Sequence, residues 1–158
     1  MHETDEAEWL DRSVLPLHGT SPLALRPVRE WVRQQLADVG QAHVEDALLV
    51  VTELVTNAYE HGDGPSRLEL RRHIDPCLIT IEVTDTTDAQ PVVGRSRMPG
   101  PRGRGLQLVD VLSTGWGTRY SHERPGKTIW ARVPCDGADR IPCPLRDAGF
   151  VPAQPSPA

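Results

Sequence analysis

Hydrophobic and polar positions along the chain repeat with either a helical or a strand period, and their order predicts an α/β domain. Between residues 21 and 39 the apolar positions Leu25, Val28, Trp31, Val32, Leu36 and Val39 form a helical stripe that Gly40 stops. Ser21 is the expected N-cap and Pro22 the first helical residue, although Pro27 allows a later start. A second helix is expected from about residue 43 to 60, docking through Ala47, Val51, Leu54, Val55 and Ala58. The period then changes to two. Residues 67–74 alternate through Leu68 and Leu70, and residues 78–85 set Ile79, Ile81 and Val83 on one face against Thr80, Glu82 and Thr84. Asp75-Pro76 reads as the hairpin turn between them. A short helix is expected from Gly105 through Leu112, followed by strands at 115–121 and 127–133 joined by Glu123-Arg124-Pro125-Gly126. Residues 13–17 suit a short first strand.

Two stretches have neither period. Residues 86–104 are rich in Pro, Gly, Arg, Ser and Asp. Loops beyond about 12 to 15 residues in a compact domain are commonly lids or binding loops, so a lid and a plain connection both stay open here. After Pro134 the chain holds repeated Pro and Ala. The expected organisation is a flexible leader at 1–12, one domain at 13–134 and a disordered tail at 135–158.

Composition narrows the partners. At 158 residues the chain can bury a core without disulfides or metal, and with 4% aromatic residues that core must be aliphatic. Its net charge of −5, with the signs interspersed, gives no footprint for duplex DNA or an anionic membrane. The acidic start lacks the features of a secretion signal, and no run approaches the roughly 18 apolar residues of a membrane helix, so a cytoplasmic protein is expected. Cys77, Cys135 and Cys143 include no C-x-x-C pair and read as thiols, with a Cys135–Cys143 bridge left open.

The chemistry gathers on residues 51–62, V-T-E-L-V-T-N-A-Y-E-H-G. At about 100° of rotation per residue, Glu53, Asn57 and His61 follow one another at i, i+4 and i+8 along one polar face. That spacing fits a solvated face as well as a site. An amide oxygen such as that of Asn57 suits Mg²⁺, and a carboxylate one turn earlier can orient or deprotonate a hydroxyl. His61-Gly62-Asp63-Gly64-Pro65 ends a helix abruptly and also lets backbone approach a ligand. Asp85, at the end of an apolar strand, is either a turn residue or an acceptor for an exocyclic amine such as that of adenine. Arg102-Gly103-Arg104-Gly105-Leu106 leads into a helix, where small residues and the helix N-terminus favour phosphate. A Walker motif is absent.

The order of these pieces, closing with P-G-K-T-I-W, resembles the GHKL ATPases of the Bergerat fold over about residues 20–133. The closest likeness is to the anti-sigma-factor serine kinases, especially the short actinobacterial regulators. The resemblance implies a two-layer α/β sandwich, with helices over one face of a mixed, mainly antiparallel sheet. It implies ATP and Mg²⁺, with Asn57 as metal ligand and Glu53 as the base acting on a serine or an attacking water. Asp85 would accept from adenine, Gly103 and Gly105 would form the phosphate loop with Leu106 following, and Thr128 would lie near adenine. His61 matches the end of the asparagine helix, as ligand contact or as structural cap, and Arg102 and Arg104 match phosphate contacts or solvated charge. The implied partners are a sigma factor and an anti-sigma-factor antagonist phosphorylated on Ser or Thr, with no direct nucleic acid, no membrane, and a homodimer as in related regulators. Asp85-Thr86-Thr87 departs from the family's D-x-G, which keeps open a catalytically weak module that sequesters a partner. No histidine-bearing dimerisation helices precede the domain, so a complete sensor histidine kinase is not expected.

Overall fold

The computed structural model describes residues 9–18, 21, 24–61, 64–73, 77–86, 101–120 and 126–135, with backbone alone at 9–10 and 101–105. In chain order the elements are β1 (Trp9–Pro16), α1 (Leu25–Gln35), α2 (Gln41–His61), β2 (Pro65–His73), β3 (Leu78–Asp85), α3 (Pro101–Leu112), β4 (Gly115–Tyr120) and β5 (Lys127–Pro134). The five strands form one sheet in the order β1-β2-β3-β5-β4.

Every pairing among these strands is antiparallel, where a mixed sheet was expected. The reason is the position of β5. The connection through α3 carries the chain from β3 to β4, two strands that run the same way, and β5 inserts between them and pairs antiparallel with both. A crossover is therefore present without a parallel ladder.

Strand alternation decides which face is covered. Leu68, Leu70, Ile79, Ile81, Val83, Ile129, Ala131 and Val133 are all buried and join Val51, Leu54 and Val55 of α2 in one core. Val28 and Val32 of α1, together with Leu106 and Val109 of α3, complete it. Thus α2 lies along the middle of the sheet, with α1 and α3 packed beside it.

The other face carries charge. Glu69 is buried although it stands on the face away from the helices, because Arg12 reaches its carboxylate at 2.7 Å, Arg71 at 2.9 Å and Arg67 at 3.4 Å. Burial pushes the Glu69 carboxyl up, but the hydrogen bonds and charges of Arg12 and Arg71 outweigh it and hold the group below its ordinary range. Glu82, on the neighbouring strand, is bridged by Arg71 at 3.3 Å and Arg119 at 3.1 Å.

Several element ends differ from the expected ones. β1 begins at Trp9, ahead of the expected 13, and pairs along its length with β2, which supplies the hydrogen-bond partners a lone segment lacks. α1 starts at Leu25 with Ala24 before it and no side-chain cap, so Ser21 is not the N-cap; its carbonyl accepts the Ala24 amide instead. Pro27 sits in the first turn, where its missing N–H costs nothing. The helix also ends sooner, at Gln35, and the Leu36 amide closes onto the Val32 carbonyl. The expected hairpin turn at Asp75-Pro76 and the tail from 136 onward lie outside the described residues.

Candidate functional site

The polar residues singled out on α2 stand in two environments. Asn57 is 7% exposed and lies among the buried positions of the helix, beside Leu54 and Ala58. A buried amide at this position stands on the core side of the helix and not on its wet face. Glu53, one turn earlier, is half-buried. Burial pushes its carboxyl above the ordinary range, and the charge of Glu60 adds to the effect. A carboxylate made more basic in this way is a better proton acceptor. His61 closes the helix, and its Nε2 is buried without a hydrogen-bond partner among the described residues.

The end of the helix meets the end of the sheet. The Gly64 amide donates to the Ala58 carbonyl at 3.2 Å, and Gly64 takes φ +101°, a conformation that glycine adopts without cost. The chain then enters β2 at Pro65, which stands opposite Asp85 on β3, and Asp85 in turn stands opposite Lys127 on β5. Hence the tip of α2 and the strand positions 65, 85 and 127 share one edge of the molecule.

Asp85 is 2% exposed and faces the helical layer, as the alternation from Ile79, Ile81 and Val83 requires. Lys127 is on the same face, and its Nζ lies 3.6 Å from the Asp85 Oδ2, with both side chains 2% exposed. An ion pair so dry persists only when both charges are compensated. A carboxylate has about four lone-pair sites on two oxygens, so one ammonium does not exhaust it. Gly126 makes the approach feasible. Its φ is +145°, and a Cβ there would stand 2.8 Å from the Asp85 carbonyl oxygen, closer than backbone tolerates.

Two expected placements differ. Thr128 does not join Asp85: it points to the opposite face of the sheet, where its hydroxyl is 3.0 Å from that of Thr84. The cause is the two-residue strand period, which gives the position facing Asp85 to Lys127. Alternation counted back from Val133, Ala131 and Ile129 puts residue 127 on the core face, a signal that the P-G-K-T match obscured. Second, Gly103 and Gly105 are not a loop before a helix. α3 begins at Pro101, a favoured first helical residue, so Arg102, Gly103, Arg104 and Gly105 form its opening turns. The side chains of 102 and 104 lie outside the described residues, as does Thr87. Leu106 is 1% exposed and part of the core. It helps to seat α3 on the core.

Residues 20–133, most of the chain and all of the sheet except β1, match the family described as the histidine kinase-like ATPase domain. The chain belongs to this family. The fold is thereby that of a histidine kinase-like ATPase domain. A further similarity, 30% identity over 141 residues, is to nonribosomal peptide synthetase 6 of Aspergillus fumigatus. It covers 85% of this chain and 11% of that protein, so the chain spans a small part of that relative's length.

Within the family's frame, Asn57, Glu53 and Asp85 come from the two elements that meet at one edge. The amide of Asn57 fits a hard cation, and the raised carboxyl of Glu53 fits a general base. Asp85 fits an exocyclic amine less simply, since Lys127 already holds one of its oxygens.

Proposed function

We propose that the chain binds Mg-ATP and acts as a serine/threonine kinase on an anti-sigma-factor antagonist, holding a sigma factor until the antagonist displaces it. The observation that supports this reading is the pair on α2: a buried amide one turn from a carboxyl made more basic by burial. Asn57 would hold Mg²⁺ through its amide oxygen, and the ion, when bound, neutralises phosphate charge. Glu53 takes the proton of the acceptor hydroxyl as that oxygen bonds to the γ-phosphorus. The bond from γ-phosphorus to the bridging oxygen breaks, and ADP leaves with the electron pair. Positioning and charge neutralisation account for most of the rate in such a transfer. Asp85 accepts from the adenine amine.

The reading is cytoplasmic and excludes direct nucleic-acid and membrane contact, in keeping with the net charge of −5. Among the described residues no helix is long and apolar enough to cross a membrane. A homodimer belongs to the same proposal. Radiolabel transfer from γ-labelled ATP to a co-purified antagonist tests it. Glu53→Ala and Asn57→Ala should each abolish transfer, and unchanged transfer in Asn57→Ala would remove the metal assignment.

The Asp85–Lys127 pair favours a second reading, in which the chain sequesters its partner with little use of nucleotide. Under that reading the wild-type chain shows no heat with Mg-ATP at millimolar concentration, and Lys127→Thr, by releasing Asp85, gains binding.

A further inference from the structure

At the far end of α2 from Asn57, three ligating side chains converge from three elements. His43 lies in the first turn of α2, Cys77 immediately precedes β3, and Cys135 immediately follows β5. One imidazole nitrogen and the two Sγ atoms all lie within 4.8 Å of one another. The two cysteines are thiols and not a disulfide. Strand pairing brings them together, because Leu78 stands opposite Pro134, and one step outward the Cys135 amide donates to the Cys77 carbonyl at 3.0 Å.

The state of the imidazole is fixed by its backbone partner. Val133 offers a carbonyl oxygen 2.8 Å from Nε2, and a carbonyl can only accept, so the ring proton is on Nε2. Nδ1 therefore carries the lone pair, and it is buried without a hydrogen-bond partner among the described residues. His43 is 5% exposed, which makes an unspent nitrogen costly. An imidazole that donates through one nitrogen to a backbone carbonyl and presents the other is the usual posture of a metal-ligating histidine.

We propose that His43, Cys77 and Cys135 bind one zinc ion. Two thiolates neutralise its charge, and the S₂N donor set selects zinc over the hard cations. Zn–S and Zn–N bonds of about 2.3 and 2.0 Å in a tetrahedral site put donors roughly 3.5–3.8 Å apart, so the three groups need draw in by only about 1 Å. The fourth position is left to water or to an incoming group. Cys135 is half-buried, which gives the ion a way in. A disulfide alone would leave the His43 lone pair unexplained.

This site is separate from the one assigned to Mg²⁺. His43 and Asn57 are fourteen positions apart along the helix, roughly 21 Å at 1.5 Å per residue. Zinc there would pin the start of α2 to the adjacent ends of β3 and β5 and so tie the helical layer to the sheet.

The test uses the full-length chain, chelator-stripped and kept reduced, titrated with zinc alone and then with cobalt. The expected result is one zinc per chain, a rise in Tm on loading, and a thiolate-to-cobalt charge-transfer band with the d–d absorption of a four-coordinate ion. Cys77→Ser, Cys135→Ser and His43→Gln should each weaken zinc binding by more than the roughly 10–100-fold that loss of an outer-shell partner costs. Asn57→Ala should leave it unchanged. Absence of the cobalt band in the reduced wild-type chain would overturn the site, whatever the variants do, as would full-strength zinc binding in folded Cys77→Ser or Cys135→Ser. Loss of zinc with Asn57→Ala would equally overturn it.

Discussion

A carboxyl raised by burial and by a neighbouring charge makes Glu53 the residue whose chemistry is easiest to test. Glu53→Gln should lower kcat for phosphoryl transfer by about 10²–10⁴-fold and leave ATP binding nearly intact, measured by steady-state kinetics beside calorimetry. The wild-type rate should begin to fall, on acidification, at a pH above the ordinary carboxylate range. Stability runs the other way. Because the folded-state value is raised, the contribution of Glu53 to stability is full below its unfolded value and is lost as pH rises through the folded one. Glu53→Gln should therefore raise Tm slightly at neutral pH and have no such effect in acid. The buried Asp85–Lys127 pair makes a different demand. Lys127→Met alone leaves a dry carboxylate uncompensated and should cost about 3–5 kcal/mol in urea unfolding, whereas adding Asp85→Asn should recover most of it.

At the scale of the elements, α2 carries both core residues and the proposed site, so substitutions in the two should fail in different ways. Leu54 is fully buried, and Leu54→Ala should cost about 2–5 kcal/mol without a specific effect on nucleotide. Gly126→Ala combines a positive φ with a Cβ 2.8 Å from the Asp85 carbonyl, and should both destabilise the chain and weaken any ligand held by Asp85. These elements were also the most legible part of the sequence. Leu78–Asp85 was placed to the residue, and α2 within about two residues, because apolar residues at strand or helical spacing report burial directly. Reading was least successful where a local motif competed with a period. P-G-K-T drew attention to Thr128 although alternation pointed to Lys127, and R-G-R-G suggested a loop where Pro101 starts a helix. The start of β1 was hidden for another reason: its stability comes from pairing with β2, a long-range contact with no local pattern. The convergence of His43, Cys77 and Cys135 was hidden likewise, since it arises from strand register and not from spacing.

Taken whole, the molecule divides its sheet into an apolar face under the helices and a second face laced with charge. Glu69 and Glu82 hold Arg12, Arg67, Arg71 and Arg119 across four strands, β1, β2, β3 and β4. Since the Glu69 carboxyl is held below its ordinary range, its contribution to stability is present above the unfolded value and is lost as pH falls through the folded one. Glu69→Gln should cost about 1.5–3 kcal/mol at neutral pH and less in acid, followed by unfolding across that range. On the proposed reading the nucleotide takes one edge of the covered face, where α2 ends and β3 and β5 meet. Titration calorimetry of the full-length chain with ATP and Mg²⁺ tests this most directly. Saturable binding tighter than about 1 mM, or about −4 kcal/mol, is expected, lost in Asp85→Asn and in Asn57→Ala. Absence of heat at that concentration, or binding that survives both substitutions, would contradict it.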